Sequence, residues 1–157
     1  MDDAGNRGLV ARYLAAATTN DWDALADLRA TNWVEEWPQS GERVRGSDNY
    51  RLIHERFPGG MPHVDVDRVV GSDDRWVLGP LFTPVKIIGS GDVWVVEGRY
   101  RYPNGDVFVG VKHLELRDGR VAHETTYWAA PFEAPAWRRQ WVELDATPGN
   151  DRGGSPA

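Results

Sequence analysis

The feature that most constrains the fold of this chain is a change in hydrophobic period near His63. Before this point apolar residues recur at helical spacing, and after it they alternate with polar residues, as in strands that bury one face. Three long alternating stretches, at 93–102, 107–116 and 120–130, are joined by turns containing Asn-Gly or Asp-Gly, which are typical of β-hairpins. The sequence therefore predicts helices followed by an antiparallel meander, an α+β fold.

The first third of the chain is predicted to be helical. A first helix is indicated by apolar residues at helical spacing, namely Leu9, Val10, Tyr13, Leu14 and Ala17. Asn20-Asp21 interrupts this pattern and can cap a second helix that begins at Trp22. Pro38–Gly41 predicts a loop, and a third helix is expected from Ser47 or Asp48 to Phe57, where Pro58-Gly59-Gly60 ends it.

The remaining segments are short or lack a clear period. A strand is predicted over Val64–Val70, a turn over Gly71–Asp74 and a short apolar run over Trp76–Leu78, whereas residues 79–90 stay unassigned. A last short helix is expected over residues 134–145, around Trp137, Trp141 and Leu144. We expect residues 1–145 to form a single domain and the Pro- and Gly-rich residues 146–157 to be a disordered tail.

The composition excludes several classes of protein. The 157 residues favour one domain, and the absence of Cys excludes disulfides, thiolate metal sites and a cysteine nucleophile. The net charge of −6 argues against a nucleic-acid partner. No apolar stretch is long enough to span a membrane and the N-terminus does not look like a signal peptide, so we expect a cytoplasmic protein. Eight Trp indicate a large core, a dimer interface or an apolar pocket.

The last two hairpin turns decide which side chains share a face of the sheet. Each turn can close as a two-residue loop or as a three-residue loop with Gly in a left-handed bulge, and a change of one residue moves a strand's partners to the other face. We favour three-residue loops, which place Tyr100 opposite Phe108 and Lys112 opposite Glu124. With a two-residue loop at Asp118-Gly119, Glu124 would oppose His113 instead.

In the favoured register one face is apolar and is expected to pack on the helices. Its members are Trp94, Val96, Tyr100, Tyr102, Phe108, Leu114, Leu116, Thr126 and Trp128. The other face carries Glu97, Arg99, Arg101, His113, Glu115 and His123 among valines. The apolar face also holds one charge pair, Lys112 and Glu124, which is either a structural ion pair or an acid/base pair in a cavity.

Several short motifs occur in an order that resembles the nuclear transport factor 2-like proteins, a group that includes ketosteroid isomerase, limonene epoxide hydrolase and SnoaL-type polyketide cyclases. The motifs are Arg12–Ala17, Asn20-Asp21-Trp22, Trp33–Pro38, Gly46, Leu114–Val121 and Tyr127-Trp128, and the resemblance covers residues 5–143. It implies a cone in which helices cover a curved, mostly antiparallel sheet and enclose an apolar pocket. It also implies a homodimer.

The resemblance transfers individual site residues unevenly. Tyr13 matches the oxyanion-stabilising tyrosine of ketosteroid isomerase. The general-base aspartate of that enzyme falls at Trp37, beside Glu36, and its second oxyanion acid falls near Val111 or Lys112. The cyclase acid/base aspartate falls near Thr126, with a polar partner near Lys112. The stretch Glu97–Arg101 has the arginines of the epoxide hydrolase relay without its aspartate. Each of these chemistries therefore lacks a group here, while the pocket is retained.

Three functions remain open for such a pocket. The first is a cofactor-independent isomerase or cyclase acting on a hydrophobic carbonyl or polyketide-like molecule. In it, Glu124 is the acid/base, Lys112 tunes the pKa of Glu124 or holds an oxyanion, and Tyr13 donates a hydrogen bond. The expected substrate-binding residues are Trp37, Glu36 (the fallback base), Tyr100, Thr126 and Trp128. Glu35 and Glu36 either supply a base at the pocket mouth or are solvated carboxylates at a helix end, and Trp33 either lines the pocket or packs in the core. The alternatives are a non-catalytic ligand-binding protein and a dimeric interaction module in which Trp137 and Trp141 cap the cone or pack on a partner.

The histidines do not indicate a metal site. None of the four shows a His-x-x-x-His spacing, and no Cys is available to help. His113 and His123 can meet across the last hairpin on the outer face, with Glu115 as the nearest carboxylate. We interpret such a pair as a surface or interface feature and expect neither metal nor cofactor.

Overall fold

The structure is a computed structural model that describes residues 3–70 and 92–143. Its helices are α1 (Asp3–Thr19), α2 (Trp22–Leu28) and α3 (Ser47–Glu55), with a 3₁₀ turn over Ala136–Trp141. Its strands are β1 (Arg29–Trp37), β2 (Glu42–Arg45), β3 (His63–Val70), β4 (Val93–Arg101), β5 (Val107–Arg117) and β6 (Arg120–Ala129). The predicted α+β class is confirmed.

Within the described residues the strands form one sheet in the order β2-β1-β6-β5-β4-β3. Neighbouring strands are antiparallel except β1 and β6, which run parallel. The helices cover one face of this sheet, and the buried cluster between the two layers includes Leu9, Val10, Tyr13, Leu25, Trp33, Trp94, Leu114 and Val121. Burial of this apolar surface is the main force that holds the helices on the sheet. No helix in the described part of the chain is long and apolar enough to cross a membrane.

The prediction of an entirely helical first third is wrong, because it misses β1 and β2. Along β1 the side chains alternate, with Trp33 and Glu35 buried on the core side. Arg29 and Glu35 are both charged and both nearly inaccessible to solvent, so a search for alternating apolar residues does not detect the strand. The alternative in which Glu35 is a solvated carboxylate at a helix end is also wrong, because Glu35 is 1% exposed and lies in a strand.

Among the other predicted elements, the cap of α2 is confirmed, whereas α3 and the last helix differ from their predicted form. The Asp21 side chain accepts a hydrogen bond from the Ala24 backbone N–H at 3.0 Å, which confirms the predicted cap of α2. Helix α3 ends at Glu55, two residues before the predicted end, and the predicted helix at 134–145 is a six-residue 3₁₀ turn. The predicted turn at Gly71–Asp74, the apolar run at Trp76–Leu78, the unassigned residues 79–90 and the tail at 146–157 lie outside the described residues.

The first hairpin closes as predicted. Tyr100 lies opposite Phe108 and Val96 opposite Lys112, around a three-residue loop in which Gly105 has a positive φ of 92°. The Tyr102 backbone N–H donates to the Asp106 carbonyl at 2.8 Å, closing the loop.

The second hairpin does not close as predicted. It differs from the prediction in its loop length and in a bulge, and the two differences cancel in their effect on which face of the sheet each side chain occupies. Arg117 lies opposite Arg120, so the loop is the two-residue Asp118-Gly119, in which both residues have positive φ, as in the turns that match strand twist. A bulge then follows, because Leu116 pairs with Val121 whereas Glu115 pairs with His123.

The short loop moves the partners of β6 to the other face, and the bulge moves them back. Glu124 therefore lies opposite Leu114, and Lys112 lies opposite Thr126. The predicted direct pairing of Lys112 with Glu124 is wrong, as is the alternative pairing of Glu124 with His113. The predicted face is right, because both charged residues lie on the apolar side as diagonal neighbours.

Candidate functional site

A cavity of about 330 Å³ lies between the helices and the sheet. Its described walls are rich in aromatic side chains, namely Tyr13, Trp37, Tyr50, Phe57, Tyr100, Tyr102, Phe108 and Trp128. Among the described lining residues the carboxylate is Glu35 and the ammonium is Lys112. This composition, apolar walls with a few polar groups, is typical of a small-molecule site.

Glu124 is the centre of a buried hydrogen-bond network behind the cavity wall. Its carboxylate accepts hydrogen bonds from the Tyr13 hydroxyl, from Trp33 Nε1 at 2.9 Å and from Lys112 Nζ at 2.6 Å, and Arg29 Nη2 lies 3.4 Å away. The Glu124 side chain is completely inaccessible to solvent. Four donors around one carboxylate favour its charged form.

The protonation states follow from these contacts. Burial alone would raise the pKa of Glu124, but the positive charges of Lys112 and Arg29 hold that pKa below its ordinary value. Burial alone would lower the pKa of Lys112, but the carboxylates of Glu124 and Glu35 raise it well above its ordinary value. Glu124 and Lys112 are therefore both charged at neutral pH, and Glu124 is a weak proton acceptor.

Arg29 and Tyr13 complete the network. Arg29 Nε donates to the Tyr13 hydroxyl at 2.7 Å, and the guanidinium lies 3.6 Å from the centroid of the Trp33 ring, a cation–π contact. Burial, followed by the negative charge of Glu124, raises the pKa of Tyr13 well above its ordinary value. Tyr13 therefore keeps its proton and donates a hydrogen bond to Glu124.

Glu35 is held differently from Glu124, although the two are paired in register across β1 and β6. Its Oε1 accepts hydrogen bonds from Thr126 Oγ1 at 2.6 Å and lies 3.2 Å from Lys112 Nζ. Its buried Oε2 has no hydrogen-bond partner among the described residues. Lys112 thus bridges two carboxylates on neighbouring strands, one behind the cavity wall and one in it.

The structure brings most of the predicted site residues together. Tyr13, Lys112 and Glu124 form one network, and Trp37, Tyr100 and Trp128 line the cavity with Tyr13 and Lys112. Thr126 is fully buried and contacts Glu35.

Glu36 lies elsewhere. Its side chain is on the opposite face of β1, where it pairs with Arg43 and lies 3.6 Å from His123 Nε2. It is not among the described residues that line the cavity. The neighbouring carboxylate, Glu35, occupies the position that the fallback base was expected to have.

Arg29 and Tyr50 belong to the site but are not predicted from the sequence, which leaves a site role open for Glu35 and Trp33. A signal for Glu35 exists, because the alternation of Trp33, Glu35 and Trp37 places a carboxylate between two tryptophans on one face of a strand. Arg29 carries no such signal, since its role depends on contacts with Tyr13 and Glu124 far away in the chain.

The aromatic wall is fixed by close packing. The rings of Trp37 and Trp128 meet edge to face at 5.6 Å, and Tyr100 meets Trp128 in the same way at 6.2 Å. Gly110 on β5 provides the space for Tyr100, because a Cβ atom at Gly110 would lie 2.2 Å from Tyr100 Cε2. The absence of a side chain at Gly110 therefore shapes the cavity.

The outer face of the sheet carries the histidines that were considered for a metal. His123 Nδ1 lies 3.0 Å from Glu115 Oε1, its partner in register, whereas His113 is in register with Thr125 and its ring packs near Tyr127. Within residues 3–70 and 92–143 no group of three or more His, Asp or Glu side chains is arranged to hold a metal ion.

Comparison with known proteins agrees with this architecture. Residues 10–79 match the sequence profile of the SnoaL-like domain. A solved nuclear transport factor 2-like protein of unknown function from Burkholderia xenovorans LB400 is 31% identical, with 92% of this chain and 98% of that chain covered and a TM-score of 0.69. No curated protein matches this chain.

Two further structures show the same fold at lower identity. A proposed ketosteroid isomerase from Kribbella flavida DSM 17836 is 24% identical over 94% of this chain and 95% of that chain, with a TM-score of 0.72. An LEH-like epoxide hydrolase from M. tuberculosis is 17% identical over 81% of this chain and 84% of that chain, with a TM-score of 0.57. Because the Burkholderia protein matches over almost the full length of both chains, this chain belongs to the nuclear transport factor 2-like superfamily, within which it carries a SnoaL-like domain.

Proposed function

We propose that this protein is a cofactor-independent acid–base enzyme, of the isomerase or cyclase type, that acts on a hydrophobic carbonyl-bearing or polyketide-like molecule in the cavity. The observation that carries the proposal is the Glu35–Lys112 pair in the wall of an otherwise apolar cavity. A charged pair is costly to bury, and the unpartnered Oε2 of Glu35 is a further cost that a substrate can relieve.

In this proposal Glu35 is the general base. Its Oε2 takes a proton from the carbon next to the substrate carbonyl, giving an enolate and a neutral Glu35, and the same oxygen returns the proton at another position. The electron pair of the broken C–H bond goes to the carbonyl oxygen. The indole N–H of Trp37 is buried without a partner among the described residues. Trp37 follows Glu35 by two residues, so both side chains lie on the same face of β1. We assign to it the hydrogen bond that stabilises this oxyanion.

The three residues first predicted to be catalytic support this base from behind. Lys112 balances the negative charge of Glu35 and is itself fixed by Glu124. Glu124 has a positioning role rather than a base role, because it is fully buried and surrounded by donors. Tyr13 donates to Glu124 and also contributes to the cavity wall. The description of the Kribbella relative as a proposed ketosteroid isomerase supports the isomerase direction.

The test is solvent deuterium exchange into bound ketones. Apolar ketones that raise the melting temperature are incubated with the protein in D₂O, and deuterium uptake is followed by mass spectrometry. We expect uptake with the wild-type protein and a loss of about 100-fold or more in Glu35→Gln, since a positioned general base contributes 10²–10⁴-fold. Glu36→Gln is the matched control, because it removes the adjacent carboxylate on the opposite face. Equal uptake by wild type and Glu35→Gln would refute the proposal.

A second candidate is a ligand-binding protein without chemistry. It is favoured by the position of Glu124, since the predicted acid/base lies behind the cavity wall with its oxygens already bonded. In that case the ketones stabilise the wild-type protein and none takes up deuterium.

We also propose that the protein works as a homodimer. The outward side of β5 and β6 and the segment after them expose large apolar side chains, namely Val109, Tyr127, Phe132, Trp137, Trp141 and Val142. Sedimentation of the full chain and of a variant truncated after Ala134 tests this. A dimer that survives the truncation excludes Trp137 and Trp141 from the interface.

A further inference from the structure

The charges around the cavity are balanced within the described residues. Glu35 and Glu124 are negative, and Lys112 and Arg29 are positive, with the ammonium between the two carboxylates. All four side chains are nearly or completely inaccessible to solvent. The site therefore holds two buried charges of each sign.

The other titratable groups in the described wall do not change this balance at neutral pH. Burial raises the pKa of Tyr13, Tyr50, Tyr100 and Tyr102 above the ordinary value of a tyrosine, so each remains neutral. Burial lowers the pKa of His54, so this imidazole is also neutral at pH 7.

A charged ligand would disturb this balance. An anion or a cation bound in the cavity would add a buried charge for which the described residues leave no opposite charge unpaired, which is the arrangement that folded proteins avoid. A neutral ligand adds none. The balance thus selects for uncharged molecules.

One hydrogen-bond acceptor in the described wall nevertheless lacks a partner. Glu35 is 1% exposed, and its Oε2 receives no hydrogen bond from the described residues, whereas its Oε1 receives one from Thr126 and lies beside Lys112. A carboxylate oxygen accepts hydrogen bonds and cannot donate them. The group that satisfies it must therefore be a donor, and among neutral donors a phenolic or enolic hydroxyl forms the shorter and stronger hydrogen bond to a carboxylate.

We propose that the cavity binds a neutral aromatic or similarly flat molecule whose hydroxyl group, phenolic or enolic, donates a hydrogen bond to Oε2 of Glu35. The flat body packs against the edges and faces of Trp37, Tyr100 and Trp128. This inference rests on the proposed function, because both use the same cavity. The enol form of a carbonyl substrate carries a hydroxyl group and so belongs to the class of molecules named here.

The test compares four probes of one shape by equilibrium titration of the intact protein at pH 7. The probes are 4-hydroxybiphenyl, 4-methoxybiphenyl, biphenyl-4-carboxylate and biphenyl-4-methylammonium, and their dissociation constants are measured by calorimetry. We expect the hydroxyl probe to bind about tenfold or more tightly than its methoxy counterpart, because a hydrogen bond to a charged group is worth at least that factor. The two charged probes should bind more weakly than the hydroxyl probe.

Two variants assign the preference to one oxygen. Glu35→Gln should reduce the hydroxyl-over-methoxy preference to less than about threefold, while Glu36→Gln, on the opposite face, should leave it unchanged. Melting curves of both variants confirm that they are folded before titration. If Glu35→Gln does not fold, Thr126→Ser, which keeps the hydroxyl donor to Glu35 Oε1, must retain the preference, and Thr126→Val must change it.

The results separate this inference from the proposed function. Tighter binding of either charged probe, an equal affinity for the hydroxyl and methoxy probes, or no binding of any probe would overturn the inference. A clear hydroxyl preference without deuterium uptake into any ketone would support the inference and refute the enzyme proposal. Deuterium uptake together with a preference for a charged probe would do the reverse.

Discussion

The two faces of the sheet near β1 carry similar charged residues in different surroundings. On the inner face Arg29, Lys112, Glu35 and Glu124 have side chains between 0% and 13% exposed. On the outer face Arg43, Glu36, His123 and Glu115 have side chains between 25% and 52% exposed. Glu35 and Glu36 are consecutive residues, so the direction of the side chain from the strand decides to which set each belongs.

This difference determines what each set of charges does for the protein. Water screens the outer ion pairs, which therefore contribute little to stability. The inner charges are desolvated, so each depends on its partners and none can be removed alone without leaving a buried charge unpaired. A change in the number of charges in such a site is therefore costly to stability. For this reason the site can keep a carboxylate in place next to an apolar ligand.

The largest expected effect comes from removing the cation that joins the inner carboxylates. Lys112→Met should lower the free energy of unfolding by about 3–5 kcal/mol, because Glu35 and Glu124 would be buried without the ammonium between them. The matched outer change, Arg43→Met, should lower it by less than about 1 kcal/mol. Urea titration followed by tryptophan fluorescence measures both values. Similar losses in the two variants would show that the inner and outer pairs do not differ as described.

A change in the aromatic wall should have the next largest effect. Gly110→Ala places a methyl group in the space of the Tyr100 ring, so we expect a loss of about 1–3 kcal/mol in the free energy of unfolding, and weaker ligand binding. Gly8→Ala in α1 is the control, since its nearest neighbour, Arg12 Nη1, is at an ordinary contact distance of 3.6 Å. That substitution should stabilise the protein by about 0.5–1 kcal/mol.

A second substitution can show whether the loss at Gly110 has the stated cause. Tyr100→Leu in the Gly110→Ala background should recover part of the lost stability, because the shorter side chain leaves room for the new methyl group. Two strictly additive losses would mean that the two positions do not clash.

A smaller effect is expected from the hydroxyl that orients Glu35. Thr126→Val keeps the shape of the side chain but removes the hydrogen bond to Glu35 Oε1, which should cost about 1–2 kcal/mol of unfolding free energy. Thr125→Val, the neighbouring residue with its side chain on the opposite face of β6, is the control and should change stability by less than about 0.5 kcal/mol. Chemical denaturation of both variants decides between them, and a larger loss at Thr125 would contradict the assignment of faces.

The strands β4, β5 and β6, and the face of the sheet on which their side chains lie, could be predicted from the sequence. The bulge in β6 and the strand β1 could not, for physical reasons. Alternation in β4, β5 and β6 placed Lys112 and Glu124 on the apolar side correctly. The bulge at Ala122 requires no special residue, so the sequence did not reveal that it compensates for the shorter loop. Strand β1 was hidden because Arg29 and Glu35 occupy buried positions that a hydrophobic pattern expects to be apolar. The partners that make those positions tolerable come from β5, β6 and α1, and local patterns cannot supply them.

The smallest expected effect concerns acid and salt, and it separates a buried carboxylate from an exposed one. The pKa of Glu124 is below its ordinary value because Lys112 and Arg29 outweigh burial, and the pKa of the half-exposed Asp65 is lowered mainly by its hydrogen bond from Arg101. A carboxylate with a lowered folded pKa contributes stability that is complete above its unfolded pKa and is lost as pH falls through the folded value. Protonation of Glu124 below about pH 4.5 and of Asp65 below about pH 3.8 should therefore destabilise the fold, but of these two contributions only that of Asp65 is open to screening by salt. Unfolding free energies measured from pH 7 to pH 2, with and without about 0.5 M NaCl, should show a small acid-dependent difference between wild type and Asp65→Asn that disappears in salt.

The larger acid-dependent loss of the wild-type protein should remain in salt, because the Glu124 network lies beyond the reach of solvent ions. Its disappearance in salt would mean that the inner network is as well screened as the outer one.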